Sequence, residues 1–250
     1  MYDMIVLGAT FAAAGISRSC KGSCLILEPK PYAGYEFVNA LHFGSGYETP
    51  LKSPEARELY ETFLKRRIFR EDRICLFDCA SPFYKLLEGR EVLLGMQILR
   101  VEKQGDSFSC LVHGVSGYRT FEARRIVDTR CDSSMCRSKT YNMLIDGSGT
   151  VTLPADVKQE AWGLSHNYVL RCEVPLQTDY CEARKRATQV LKDLPEGHKL
   201  ILLADVFDYA VNPGYPKEEN GITYLPSKAY ENPVLAFDAG VCFGAGGVLG

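Results

Sequence analysis

An α/β fold joined to a smaller antiparallel α+β unit is what three features of the sequence predict. The first is the N-terminal stretch YDMIVLGATFAAAGISRSCKGSCLILE. Its apolar run 4–7 breaks at Gly8, the small-residue segment 9–15 follows, and a second apolar run 24–27 ends on Glu28. That order reads as strand, tight turn, helix, strand. The second feature is a series of strand-like segments at 91–94, 97–103, 107–114 and 118–123. Gly105-Asp106 and Ser116-Gly117 stand where a meander needs its turns. The third is a strand at 167–174, an amphipathic helix at 183–194 with Ala187, Val190 and Leu191 on one side, and a buried-type strand at 199–204.

The first unit carries a functional expectation. A glycine closing the first strand, a helix of small residues, and an acid about twenty residues on are the layout of a dinucleotide-binding βαβ unit. Backbone N–H groups and a helix N-terminus then face a pyrophosphate, and Glu28 accepts from a ribose. Setting G-x-G-x-x-G on Gly8 places Thr10 at the second glycine and Ala13 at the third. Alanine still allows close packing of helix on sheet. Threonine at the second position either pushes the ligand outward or offers its hydroxyl.

Between the predicted units lie loops and caps. Pro29, Pro31 and Gly34 build a loop, and 41–52 is irregular. Ser53-Pro54-Glu55 is a helix start, with Leu59, Phe63 and Leu64 as its apolar stripe and Lys65-Arg66-Arg67 at its negative end. Ser81-Pro82 repeats that device, with Gly89 as the stop. Residues 125–128 read as a short strand, 144–152 as an alternating, glycine-bearing stretch, 208–232 as loop-rich, and 233–237 as a strand ending before Asp238.

Composition narrows the function classes. The chain has 250 residues, 46% hydrophobic and 24% charged, as expected of a globular protein. Its net charge of −2 gives no electrostatic case for nucleic acid. No apolar stretch is long enough for a membrane span, and Asp3 sits where a signal peptide carries positive charge, so a cytoplasmic protein is expected. The ten cysteines then read as free thiols. None forms C-x-x-C and the four histidines are scattered, so no metal site is expected. Cys131 and Cys136, spaced C-x4-C, are the pair best placed for a disulfide redox centre. Tyr35, Glu36, His42, His166 and Arg171 are candidate substrate-side polar groups, and Trp162 reads as packing.

In their order these parts resemble the FAD-dependent oxidoreductases with the glutathione-reductase-like flavin fold. The resemblance rests on YDMIVLGATFAAA with LILE, on SPFYKLLEGREVLLGMQILRVEK followed by the hairpin and RRIVDTR, and on NPVLAFDAG. It implies a Rossmann-like FAD-binding domain from 1–132 and 233–250, and a substrate-side antiparallel α+β domain from 133–232. It further implies FAD as cofactor, with Gly8, Thr10, Phe11, Ala12 and Ala13 at the pyrophosphate turn. Glu28 falls at the adenosine ribose with Pro29 and Lys30 beside it, and Gln97 and Ile98 near the adenine. Thr129 and Arg130 fall at the return-strand turn, where the family has Ala-Thr-Gly. Asp238 falls at the ribityl chain, and Gly240 where the next helix approaches.

The implied activity is hydride transfer from a small organic substrate to flavin. No catalytic side chain is specified and the oligomeric state is open. Two alternatives remain: a flavin- or nucleotide-binding protein without redox chemistry, and an NAD-dependent enzyme. The meander before the return strand argues against the latter.

Overall fold

Residues 1–70, 73–161 and 166–246 are described by the computed structural model. Trp162 lies outside them. Strand β1 (Tyr2–Leu7), helix α1 (Phe11–Ser19) and strand β2 (Cys24–Glu28) form the expected βαβ unit, the strands pairing in parallel with Met4 opposite Cys24. Both faces of β1 are buried. Met4 and Val6 join the core under the helices, while Ile5 and Leu7 join a second core under the meander. A parallel strand covered on both sides reads as a continuous apolar run, and this one does.

Ser53 caps α2 (Pro54–Lys65), its side chain accepting the Ala56 N–H, and Ala56, Leu59 and Phe63 face the core. Leu64 is exposed. A short hairpin of β3 (Phe69–Arg70) and β4 (Arg73–Ile74) precedes α3 (Leu76–Leu86). The helix start expected at Ser81-Pro82 is overturned, because α3 begins five residues earlier and contains Pro82. Burial of Leu76, Cys79 and Phe83 along one face offsets a proline inside the helix.

Strand β5 (Glu91–Leu94) extends the parallel sheet beyond β2. The meander then runs through β6 (Gln97–Gln104), β7 (Ser107–Gly114) and β8 (Gly117–Asp128). The segments expected at 118–123 and 125–128 are one strand, since neither Gly nor Pro interrupts them. The first half of β8 pairs antiparallel with β7, and its second half runs parallel to β1.

The second sheet is antiparallel and centres on β9 (Cys136–Asp146). Strand β11 (Asn167–Val174) lies along one side of it, with β10 (Val157–Ala161) beyond. Strands β12 (Lys199–Leu203) and β13 (Asp208–Val211) share its other side. Helix α4 (Tyr180–Lys192) opens on a capping box made by Asp179 and Glu182, and buries Ala183, Ala187 and Val190. The expected buried strand at 199–204 is an edge: Leu200, Ile201 and Leu202 are exposed. Its apolar run would suit a covered strand, but among the described residues only β9 pairs with it.

The chain returns to the first sheet earlier than the expected boundary at 233. Strand β14 (Lys217–Glu219) forms a hairpin with β15 (Ile222–Tyr224), and β15 lies parallel to β8. A 3-10 turn at Ser227–Ala229 leads to α5 (Pro233–Gly244). This corrects the expected strand at 233–237. Asn232 accepts the Leu235 N–H as N-cap, Pro233 occupies the first turn, and the helix is apolar nearly all round because it is buried.

Helix α5 crosses α1 at very short range. A Cβ at Gly15 would overlap the carbonyl oxygen of Phe237, and one at Gly240 the carbonyl oxygen of Ala12. Gly240 therefore does permit close helix approach, and the approaching pair is α1 and α5. Among the described residues no helix is long and apolar enough to cross a membrane.

Candidate functional site

The βαβ turn forms because Gly8 adopts φ +94°, a conformation closed to most side chains. Its N–H donates to Leu27 O at 2.8 Å, tying the turn to β2. Thr10 is the N-cap of α1, its hydroxyl accepting the Ala13 N–H at 3.2 Å. The same hydroxyl donates to Thr129 Oγ1 at 2.8 Å, and Thr129 donates onward to Leu7 O at 3.0 Å. Thr10 and Thr129 thus staple the ends of β1 and β8 together. The Thr10 hydroxyl, expected as a possible ligand donor, is committed within the protein.

Glu28 is fully buried at the end of β2. Its carboxylate accepts the Ala9 N–H at 2.7 Å and the Lys30 N–H at 2.8 Å. Burial pushes its pKa up, against the pull of those two N–H groups and the Lys30 charge. Above it opens a cleft of about 500 Å³ at the carboxyl ends of β1, β2 and β8. Thr10, Glu28, Pro29, Lys30, Tyr35 and Arg130 line the side formed with the first sheet, and Tyr180, Phe207 and Tyr209 close it from the second sheet and α4. Open α/β sheets place ligands where strand connections diverge in this way. Arg130 is not free to reach a distant anion. Its guanidinium grips Asp128 through Nε at 3.0 Å and Nη2 at 2.7 Å. Its aliphatic stem lies over the turn, with Cγ 2.6 Å from where a Gly8 Cβ would stand.

Glu36 occupies the positive end of α1. Its Oε1 accepts the Phe11 N–H at 2.8 Å and the Ser227 hydroxyl at 2.7 Å, while Ser227 Oγ lies 3.4 Å from the Ala12 nitrogen. A carboxylate suits a helix N-terminus, but this one is buried, and burial pushes its pKa up to about 7 despite those donors and the nearby Lys228. Its second oxygen has no hydrogen-bond partner among the described residues. The cleft therefore contains one unsatisfied buried acceptor. Tyr35, on the same loop, is held well above the ordinary phenol range by burial and by Glu28 and Glu36.

A second cavity of about 490 Å³ adjoins the first, sharing Tyr209 and Lys228 in its lining. Buried Asp208 is its charged centre. His42 Nδ1 lies 2.9 Å from Oδ2 and Lys228 Nζ 2.7 Å from Oδ1, with Arg171 Nη2 also on Oδ2. Asn142 Nδ2 adds a contact at 3.3 Å. Burial pushes the Asp208 carboxyl up, but His42, Lys228 and Arg171 outweigh it and hold the group well below the carboxylate range. Burial in turn lowers the His42 pKa, opposed by Asp208. The site is a polar cluster of five side chains drawn from β9, β11, β13, the loop at His42 and the 3-10 turn at Lys228.

Of the expected substrate-side residues, His42 and Arg171 meet at Asp208, and Tyr35 and Glu36 line the cleft. His166 is exposed at a turn, where its carbonyl accepts the Gly147 N–H. Gln97 Nε2 reaches Pro29 O at 3.2 Å, so it flanks the cleft's outer loop, while Ile98 packs into the meander core. Phe11, Ala12 and Ala13 are buried in α1.

Asp238 is the clear misplacement. It sits within α5 and accepts the Lys52 N–H at 2.8 Å, the Ser53 N–H at 2.7 Å and the Ser53 hydroxyl at 2.5 Å. Its role is to hold the start of α2, away from the cleft. Asp238→Ala strands the buried Ser53 N–H and hydroxyl and the part-buried Lys52 N–H and should destabilise the fold by about 2–3 kcal/mol, read from urea melts. Asp208, Lys228 and Ser227 were not singled out by sequence reasoning. They lie in the loop-rich stretch, where no periodicity or spacing marks them.

No family model matches the sequence, and no curated protein sequence matches it. Solved structures do share its fold. The anhydrotetracycline hydroxylase OxyS from Streptomyces rimosus superposes with a TM-score of 0.66 at 14% identity, over 98% of this chain and 61% of the hydroxylase. A flavoprotein/dehydrogenase from Cytophaga hutchinsonii gives 0.58 at 14% identity, over 99% of this chain and 80% of that one. Aklavinone-11 hydroxylase, solved with FAD and aklavinone, gives 0.56 at 10% identity, over 97% and 60%. The chain has the mixed α/β fold of the FAD-dependent flavoproteins. It spans about 60% of the length of the hydroxylases it matches.

Proposed function

We propose that the chain is a FAD-dependent oxidoreductase that oxidises a small organic substrate by hydride transfer. The observation carrying this reading is the cleft beside the Gly8 turn, with Glu28 buried at the end of β2. The residues fit the adenosine half of the cofactor. Gly8 leaves the turn without a side chain, Glu28 keeps lone pairs for ribose hydroxyls, and Pro29 and Lys30 flank it. Glu36 adds the unpartnered acceptor, which suits a sugar or ribityl hydroxyl.

When bound, FAD would supply the two-electron redox chemistry. The protein's own contribution is orientation and exclusion of water. Tyr180, Phe207 and Tyr209 cover the first cavity. The Asp208 cluster sets His42 and Arg171 at the adjoining one, which we assign to the substrate.

One observation favours the other reading, a flavin- or nucleotide-binding protein without redox chemistry. The positive end of α1 already faces Glu36, so a diphosphate must share or displace it. The visible absorption of the purified protein, with chromatography of whatever heat releases, separates the two. A flavin spectrum bleached by a reducing substrate is the expected result. Released FAD that no substrate reduces would move the assignment to the second reading. A colourless protein that takes up no added FAD would overturn both. Gly8→Val should lose cofactor retention, because valine at that φ is strained and meets the Arg130 stem.

A further inference from the structure

We propose that Cys131 and Cys136 form a redox-active dithiol on the rim of the cleft, one that exchanges with small-molecule disulfides such as glutathione disulfide. The geometry is local and built. Asp132 caps a 3-10 turn at Ser133–Met135, its carboxylate accepting the Ser134 N–H at 2.8 Å. That turn folds the C-x4-C segment back on itself and brings the two sulfurs to 3.1 Å. A closure of about 1 Å would join them. Cys136 Sγ also donates to Asp132 O at 2.9 Å.

Access is divided between the two. Cys131 is partly exposed and lines the cleft, whereas Cys136 is buried behind it. The shared thiol hydrogen bond lowers the Cys136 pKa and raises that of Cys131, and Lys228 and Lys139 add to the lowering. Among the described residues Cys20 and Cys24 also approach each other and are both partly exposed, but neither lines the cleft. In the Cys75/Cys79 pair, Cys79 is buried in α3 and hydrogen-bonded to a carbonyl. Cys24 is pushed up to about 12, first by burial.

The chemistry balances with the external disulfide as oxidant. As Cys131 attacks one sulfur of RSSR, its proton passes to the departing thiolate, which leaves as RSH. Cys136 then attacks the Cys131 sulfur of the mixed disulfide and expels the second thiolate. Two protein thiols become one disulfide, RSSR becomes two RSH, and the two protein protons end on the released thiolates. Cys131 is thus the attacking residue and Cys136 the resolving one. This inference is independent of whether flavin binds.

Trypsin cutting after Arg130 and Arg137 releases both cysteines in one peptide, 131–137. The full chain is equilibrated in glutathione buffers, alkylated with iodoacetamide and analysed by peptide mass spectrometry. In oxidising buffer, peptide 131–137 should carry an internal disulfide and lose alkylation about tenfold, reversed by dithiothreitol. Raising total glutathione at a fixed ratio of reduced to oxidised should reduce the pair, because the internal disulfide depends on the square of the thiol concentration.

Cys136→Ser should instead trap glutathione on Cys131, with no such concentration dependence. Cys131→Ser should leave Cys136 unmodified. Peptide 131–137 staying fully alkylated while the exposed Cys181 becomes glutathionylated would overturn the proposal. So would a glutathione adduct as the only wild-type product. The wild-type measurement decides even where a variant fails to fold.

Discussion

Glu36→Gln is expected to raise stability at alkaline pH and to remove much of the pH dependence of unfolding. The buried carboxyl has its pKa raised from 4.5 to about 7, chiefly by burial. The folded chain therefore holds that proton more tightly than the unfolded chain does. The destabilisation is absent at low pH, grows as pH rises above the unfolded value, and is complete once pH passes the folded value. At about pH 8 the penalty amounts to ~3 kcal/mol, which the uncharged amide avoids while its oxygen still accepts the Phe11 N–H.

Urea melts at several pH values read this directly. Wild type should lose stability between roughly pH 5 and pH 8 while the variant stays flatter. Parallel curves would show that Glu36 is ionised throughout. The same substitution tests the cofactor reading. With the carboxylate gone from the end of α1, FAD affinity at about pH 8 should rise about tenfold and change little at about pH 6.

Gly240→Val should prevent folding. The added side chain would have to occupy the position of the Ala12 carbonyl, where neither helix has room to yield. The expected destabilisation is at least ~4 kcal/mol, a large part of a typical domain's total. Circular dichroism of the purified variant, or its failure to accumulate, gives the answer. A normally folded variant would mean that α1 and α5 are not in backbone contact.

Where the sequence was legible, a local rule and the tertiary context agreed. The βαβ unit could be read because residues 4–7, Gly8 and Glu28 each obey a simple requirement of strand, turn or strand end. The start of α2 followed from Ser53 and Pro54, and the meander from alternation between glycine turns. Helix α5 was missed because burial between α1 and α2 leaves no polar face and hence no helical period. Strand β12 misled for the opposite reason, since an apolar run gave no warning of an uncovered edge.

Gly8 closes the turn after β1 and Glu28 ends β2, as the strand-turn-helix-strand reading requires, whereas Asp238 lies inside α5 and not after a strand. Glu36 was noticed only as a polar candidate. Its seat on the α1 terminus depends on how the loop through Gly34 folds back, with Gly34 N–H on Ala9 O. The Asp208 cluster draws on residues far apart in the chain, so spacing carries no trace of it.

The crossing of α1 and α5 also has a temporal meaning. Phe11–Ser19 emerges from the ribosome long before Pro233–Gly244. Until α5 is made, the Ala12, Gly15 and Gly244-facing Ile16 surface lacks the helix it packs against. The Gly8 turn thus cannot reach its finished state until α5 has been made, and contacts of such long sequence separation form slowly. A nascent chain halted before α5 should remain sensitive to protease in α1. Joining the α5 sequence ahead of β1 by circular permutation would let the first sheet mature early.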